Sequence, residues 1–311
     1  MSTLPTSMRA ALAHSPEDAA DGITVETVPV PRPATGDVLV EVRAAGIVPD
    51  ELSWPGTWTD RAGRDRAPSI PAHEVAGVVA AVRYGTTGFQ EGDRVVGLAD
   101  WHRDGGAAGY IAVEARDLAR LPDEVSFTDA AALPIAGLTA WQGLFTHAGL
   151  APGQTVLVHG AGGGTGSLAV QLAREAGARV LATGRARDAA LARDLGADEF
   201  VALEDGRFED AGPVDVVFDT IGGDVLARSA SVVRPGGTLV SITAPPPELP
   251  GGTRGVVFIV EPNRDQLAQI VQRAADGRIS PRVGATYPLA EARAAFHAKR
   301  SGVPGKVVIT L

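Results

Sequence analysis

The stretch Thr155-Val156-Leu157-Val158-His159-Gly160-Ala161-Gly162-Gly163-Gly164-Thr165-Gly166 decides the fold. A short β-branched apolar run enters a cluster of glycines, which opens into Ser167–Arg174, where apolar residues recur at helical spacing. A strand, a glycine turn and a helix N-terminus make a seat for a pyrophosphate. Backbone N–H groups and the helix dipole face the anion, and glycine lets the backbone approach it. The spacing G-x-G-x-x-G lands on Ala161, Gly163 and Gly166, with alanine at its first position. Ala161, Gly162, Gly163, Gly164, Thr165 and Gly166 are therefore candidate cofactor-binding residues.

Around this turn the chain alternates between strands and helices, as a doubly wound α/β sheet requires. Strands are expected at Arg179–Thr183, Glu199–Leu203, Val214–Thr220, Gly237–Ile242 and Gly255–Val260. Helices are expected over Asp188–Leu195 and Asp224–Val233. The end of the second strand selects the dinucleotide, because an acid there holds a ribose 2′-hydroxyl and repels a 2′-phosphate. Here the chain reads Thr183-Gly184-Arg185-Ala186-Arg187, with its first carboxylate at Asp188. Two guanidiniums offer planar forks of donors suited to a phosphate, so the expected cofactor is NADPH. The alternative is that Arg185 and Arg187 are solvated loop charges.

With 311 residues and 45% hydrophobic composition, the chain is long enough for about two domains. The longest apolar runs are strand-sized, far short of the ~20 residues that span a bilayer. Residues 1–10 lack a basic region followed by an apolar stretch, so a cytoplasmic protein is expected. A net charge of −9 argues against nucleic acid as a partner. There is no cysteine, which removes disulfides, thiol nucleophiles and thiolate metal ligands. The first part of the chain has short β-rich runs at Ile23–Val30, Gly36–Val42, Glu74–Val82, Gly92–Gly97 and Ala108–Val113, divided by Gly and Pro. They suggest a compact antiparallel, barrel-like domain. The boundary is placed near residue 125: residues 1–125 form one domain, completed by 263–311, and 126–262 bind the dinucleotide. Asp129–Ala151 reads as mostly helical, Asp265–Asp276 as a helix and Gly305–Thr310 as an edge strand.

The segments "PRPATGDVLVEVRAAGI", "PAHEVAGVV", "FQEGDRVVGLA", "AALPIAGLTAWQGL", "VDVVFDTIGG", "RPGGTLVSI" and "PGKVVITL" run through nearly the whole chain. With the glycine turn, they resemble the medium-chain dehydrogenase/reductase superfamily, in its zinc-independent quinone oxidoreductase-like branch. The resemblance implies a GroES-like catalytic domain, a Rossmann domain and NADPH-dependent reduction of quinones or conjugated enones. It also carries over several residues. Thr139 matches a threonine beside the nicotinamide, or else caps a helix terminus. Thr220 and Gly222, then Ile242 and Thr243, end strands that run along the cofactor. Phe258 and Val260 match a strand that meets the carboxamide. Lys306 lies in a tail that closes near the cofactor, or else is an exposed turn lysine. Zinc-dependent relatives carry a cysteine after the glycine matching Gly46, where this chain has Ile47-Val48-Pro49-Asp50. His73-Glu74 does match their second zinc-region pair. A catalytic zinc needs three protein ligands, and His73 with Asp50 or Glu51 falls short, so no metal is expected.

A substrate that no metal polarises must already be electrophilic, which points to a quinone or an enone. The anion left after hydride transfer needs donors and a proton. Candidates are Asp50, Ser53, His102 and Tyr110, with water as an alternative donor. Trp54 and Trp101 are candidates to line a flat apolar pocket, and Asp100–Gly105 to form a lid. Three readings stay open: a broad quinone or enone reductase, a dedicated tailoring reductase in a biosynthetic pathway, and a non-catalytic NADPH-binding sensor or structural protein. The Gly255–Val260 run could pair across a homodimer.

Overall fold

The computed structural model describes residues 4–18, 20–204, 206–249 and 251–311. The chain divides into two compact units. Residues 1–134, 262–275 and 283–311 form the first, and residues 135–261 and 276–282 form the second. The expected boundary near residue 125 falls short of this division after Pro134.

Seven strands open the chain: β1 (Ser7–Leu12), β2 (Thr24–Pro29), β3 (Asp37–Ile47), β4 (Glu74–Val82), β5 (Arg94–Leu98), β6 (Tyr110–Glu114) and β7 (Leu118–Arg120). The second unit holds β8 (Thr155–His159), β9 (Arg179–Gly184), β10 (Glu199–Ala202), β11 (Val214–Asp219), β12 (Val233–Ser241) and β13 (Arg254–Val257). The chain then returns to the first unit as β14 (Val283–Pro288) and β15 (Lys306–Thr310).

In the first unit β1 and β2 pair antiparallel, and the main sheet runs β14-β15-β3-β4-β5-β7 with β6 also on β3. Strand β3 reaches three partners because its register against β4 shifts at Leu39/Val40 and at Val42/Ala44. Such irregularities bend a strand, so β3 takes β6 along Asp37–Glu41 and β15 along Ala44–Ile47. Val38, Val40, Val42, Ala45, Val75, Val95, Ile111 and Ile309 pack into one apolar core. This is the β-rich domain expected for the first part of the chain. The expectation of an edge strand at Gly305–Thr310 is corrected. β15 lies between β14 and β3, and Val307, Val308 and Ile309 are fully buried. The covering strand β14 alternates half-buried and exposed residues without a strong apolar run, which is why its sequence did not announce it.

In the second unit six strands run in the order β10-β9-β8-β11-β12-β13, every neighbouring pair parallel. This is the doubly wound order, in which the crevice lies at the carboxyl ends of the first and fourth strands, here β8 and β11. β8, β9 and β11 are almost wholly buried, as strands covered by helices on both faces must be. Strand β13 is at the sheet edge, with Val257 46% exposed and Ile259, just beyond the strand, 82% exposed. Among the described residues, no helix is long and apolar enough to cross a membrane.

Candidate cofactor and active site

At the end of β8 the chain turns at Gly160, whose φ is +83°. The backbone N–H groups of Gly160 and Ala161 both donate to the Thr183 carbonyl on β9, at 3.0 and 2.9 Å. The residue that needs left-handed backbone is thus Gly160, one place before the fingerprint's first position. That is why alanine is accommodated, fully buried, at 161. Gly163 is the N-cap of the helix Gly164–Glu175, which includes Thr165 and Gly166, and as a glycine it has no side chain to cap that helix start. Its first N–H groups are left for an anion. A Cβ on Gly166 would lie 2.1 Å from the Gly160 carbonyl oxygen, so the turn closes on the helix only with glycine there. These are the dimensions of a pyrophosphate seat, and the residues fit a dinucleotide.

Beyond β9, Arg185 and Arg187 are exposed and form no ion pair with any described residue. Two carboxylates sit nearby. Glu204 accepts the Ala186 N–H through both oxygens at 3.2 and 3.0 Å and is exposed. Asp188 is buried against the glycine turn, where Arg282 bonds it at 3.1 Å and also donates to the Gly162 carbonyl. Thr183, in the expected strand, does not face the loop. It lies within β9, fully buried, and its hydroxyl is engaged by His159. Gly184 ends the strand.

His159 was not among the expected site residues. Its Nδ1 lies 2.7 Å from the Thr183 hydroxyl and its Nε2 lies 2.9 Å from the Ser229 hydroxyl. Ser229 donates its own proton to the Val225 carbonyl at 2.6 Å, so Nε2 carries the proton and Nδ1 accepts from Thr183, as a neutral ring must. Burial pushes this imidazole down from 6.5 to about 4, with Asp219 pulling partly against it. The folded form resists a proton that the unfolded chain takes up. Stability is therefore fully present above pH 6.5 and lost as pH falls through about 4. The expected loss is about 3 kcal/mol across that window, read from urea midpoints at stepped pH. A His159→Gln protein should lack that acid slope; an unchanged slope would show that other groups cause it.

Asp219 ends β11 and organises the neighbouring strand ends. It accepts the N–H groups of Ile221 and Gly222 at 3.1 Å, the Ser241 hydroxyl at 2.9 Å and the Thr243 hydroxyl at 3.3 Å. Thr220 donates to the His159 carbonyl at 2.7 Å, which ties β11 to β8, and Ile242 donates its N–H to the Asp219 carbonyl. The Asp219 network thus brings together Gly222, Ile242 and Thr243, with Thr220 beside them. Thr139 is buried in the helix Pro134–Trp141. The expected strand through Phe258 and Val260 is corrected: β13 stops at Val257, and the Phe258 ring instead lies against the His147 ring, tilted, with centroids 4.4 Å apart.

In the first unit Trp54 and Trp101 meet edge to face at 4.8 Å, and Trp101 also lies 5.6 Å from the His73 ring. The two tryptophans named from the sequence therefore form one aromatic surface, both half-buried. Asp50 and Ser53 are exposed, and the Ser53 hydroxyl donates to the Asp50 carbonyl at 2.7 Å. His73 is buried, with Nδ1 2.7 Å from Glu51 Oε1 and Nε2 3.0 Å from the Arg103 carbonyl. Glu51 Oε1 also accepts the N–H of Ala72, whose φ of +70° turns the chain into His73. Its Oε2 has no hydrogen-bond partner among the described residues. A catalytic zinc asks for three protein ligands, and no three His, Asp or Glu side chains converge among the described residues. Both His73 nitrogens are also spent on other partners, so this donor set does not fit zinc.

The expected lid at Asp100–Gly105 is pinned. Arg103 grips Asp37 through two bonds at 3.1 and 2.7 Å, Asp104 holds Arg66, and Asp100 holds Arg61. Lys306 is neither an exposed turn residue nor free to reach a ligand. It is 4% exposed, and its ammonium contacts the fully buried Glu74 carboxylate.

An alcohol dehydrogenase GroES-like domain model matches residues 34–123, and a zinc-binding dehydrogenase model matches residues 195–309. The NADPH-dependent alkenal/one oxidoreductase, chloroplastic, of Arabidopsis thaliana is 31% identical, with 99% of this chain and 80% of that protein covered. The spectinabilin polyketide synthase system protein NorB of Streptomyces orinoci is 36% identical over 89% of this chain. That protein is far longer, and the match spans 13% of it. The solved quinone oxidoreductase of Coxiella burnetii superposes with a TM-score of 0.87 at 25% identity, covering 98% of this chain and 99% of that one. The chain belongs to the medium-chain dehydrogenase/reductase superfamily, in its quinone oxidoreductase-like branch, a family of oxidoreductases that bind a nicotinamide cofactor.

Proposed function

We propose that this chain is an NADPH-dependent oxidoreductase that transfers hydride to a quinone or an α,β-unsaturated carbonyl without a metal. The observation that carries the cofactor choice is Arg185 and Arg187 just past β9, exposed and without an ion pair among the described residues, where an NAD site would place an acid. When bound, the nicotinamide supplies the hydride. The protein's part is to hold, orient and exclude water. The glycine turn and the start of the Gly164–Glu175 helix receive the pyrophosphate, and the Asp219-organised strand ends shape the adjoining surface. Trp54 and Trp101 offer an apolar face for a flat acceptor. Asp50 and Ser53, exposed and joined by the bond from the Ser53 hydroxyl to the Asp50 carbonyl, stand with water as candidates to give the enolate or hydroquinone anion its proton. A homodimer through the exposed β13 edge and a cytoplasmic setting complete the proposal.

The test is oxidation of NADPH against a panel of small quinones, enals and enones. Turnover of several acceptors supports a broad reductase. The likeness to NorB favours a second reading, one dedicated enone substrate, under which the panel stays silent until that substrate is supplied. Tight NADPH binding with no acceptor reduced would leave a sensor or structural protein. For the cofactor, Arg185→Ala with Arg187→Ala is expected to erase the preference for NADPH over NADH, about 10- to 100-fold, while turnover at saturating cofactor persists. A wild-type enzyme that binds NADH more tightly would refute the NADPH reading.

A further inference from the structure

We propose that Arg282 sets cofactor preference by neutralising Asp188, the buried carboxylate under the glycine turn. The inference rests on the NADPH reading above and adds a residue to it. Asp188 is pressed into the turn so closely that a Cβ on Gly162 would lie 2.3 Å from its Oδ2. Its side chain is only 9% exposed, so water and salt screen its field poorly. An unscreened negative charge one residue past Arg187 opposes a 2′-phosphate as the acid of an NAD site does. Exposed Glu204, by contrast, is screened by solvent.

Arg282 answers that charge. Its Nη1 bonds Asp188 Oδ1 at 3.1 Å and donates to the Gly162 carbonyl, which joins the carboxylate, the turn and the guanidinium in one unit. The residue arrives from 120 positions beyond Gly162, on the segment 276–282 that returns to the second unit. Gln171 secures that segment, receiving the Ser280 N–H at 2.8 Å and donating to the Ser280 carbonyl at 2.9 Å. Arg278 adds bonds to Glu175 and Asp276. With Asp188 cancelled, Arg185 and Arg187 present net positive charge to the ribose.

Arg282 is thus a positioning residue, and its signature is a change in the ratio of two affinities. Dissociation constants for NADPH and NADH are measured by fluorescence for wild type, Arg282→Ala, Asp188→Asn and the double variant, with thermal melts alongside. Arg282→Ala is expected to weaken NADPH about 10-fold and NADH less than about 3-fold, because only the former carries the extra phosphate. Asp188→Asn in that background is expected to restore NADPH affinity, since no charge is left to cancel. Equal weakening of both cofactors in Arg282→Ala, or no rescue by Asp188→Asn, would overturn the proposal and mark the pair as a scaffold for the turn. Should Arg282→Ala unfold, Asp188→Asn alone decides. NADPH affinity kept or raised supports the inference, and affinity lost for both cofactors defeats it. A wild type without NADPH preference fails the underlying reading instead, a result visible before any variant is made.

Discussion

Lys306→Met is expected to lower the free energy of unfolding by about 3–5 kcal/mol, because it strands a carboxylate in the core. Glu74 is fully buried on β4 and Lys306 is 4% exposed on β15. Breaking such a pair leaves one buried charge without its counter-ion, whereas removing both charges costs far less. The double variant Glu74→Gln with Lys306→Met should therefore recover much of the loss in guanidinium unfolding. Lys299 sharpens the test. Burial, and then the charge of Lys306, hold its amine down to about 8. It donates to the Gly305 carbonyl at 2.6 Å beside the pair. Without Lys306 that repulsion is gone, and the Lys299 titration should move upward. A Lys306→Met protein as stable as wild type but with weakened cofactor binding would show instead that the lysine acts on the nucleotide.

Gly166→Ala should abolish useful cofactor binding, by about 100-fold or more, as an overpacking penalty near 3 kcal/mol implies. The atom in the way is a backbone oxygen: the new Cβ would sit 2.1 Å from the Gly160 carbonyl oxygen and 2.6 Å from its carbon. Gly160 is tied in turn to Thr183 on β9 and Gly163 on the turn, so it cannot give way without moving the first-strand crevice. Calorimetric titration with NADPH and NADH should show both lost together, since the pyrophosphate is common to them. Retained binding of either would mean that the cofactor does not lie across this turn. That outcome separates the pyrophosphate seat from the arginines, whose loss is expected to touch only the phosphorylated form.

Much of the fold was legible because its signals are local. The run Thr155–His159 followed by glycines places β8, the turn and the helix start within a few residues of where they fall, and β4 spans the expected Glu74–Val82. Strands buried on both faces write themselves as apolar runs. Where the local signal is weak, sequence and structure part. β14 alternates polar and half-buried positions and was missed, so β15 looked like an edge. The Gly255–Val260 run reads as strand to its end, but pairing with β12 stops at Val257. Asp100–Gly105 was read as mobile from its polarity, yet each polar group there has a partner that lies far away in sequence.

Residue order alone determined a dinucleotide turn after a buried strand, two arginines where an acid is usual, and a chain without thiolate ligands, because each depends on neighbours in sequence. Tertiary structure decided what those groups face. Thr183 turns inward to His159, Lys306 is locked onto Glu74, and Asp188 lies under the turn with Arg282 across it. Those pairings bridge 24, 232 and 94 positions. A charge or hydroxyl acquires its chemistry from whatever shares its burial, and only the folded chain brings such partners within bonding distance.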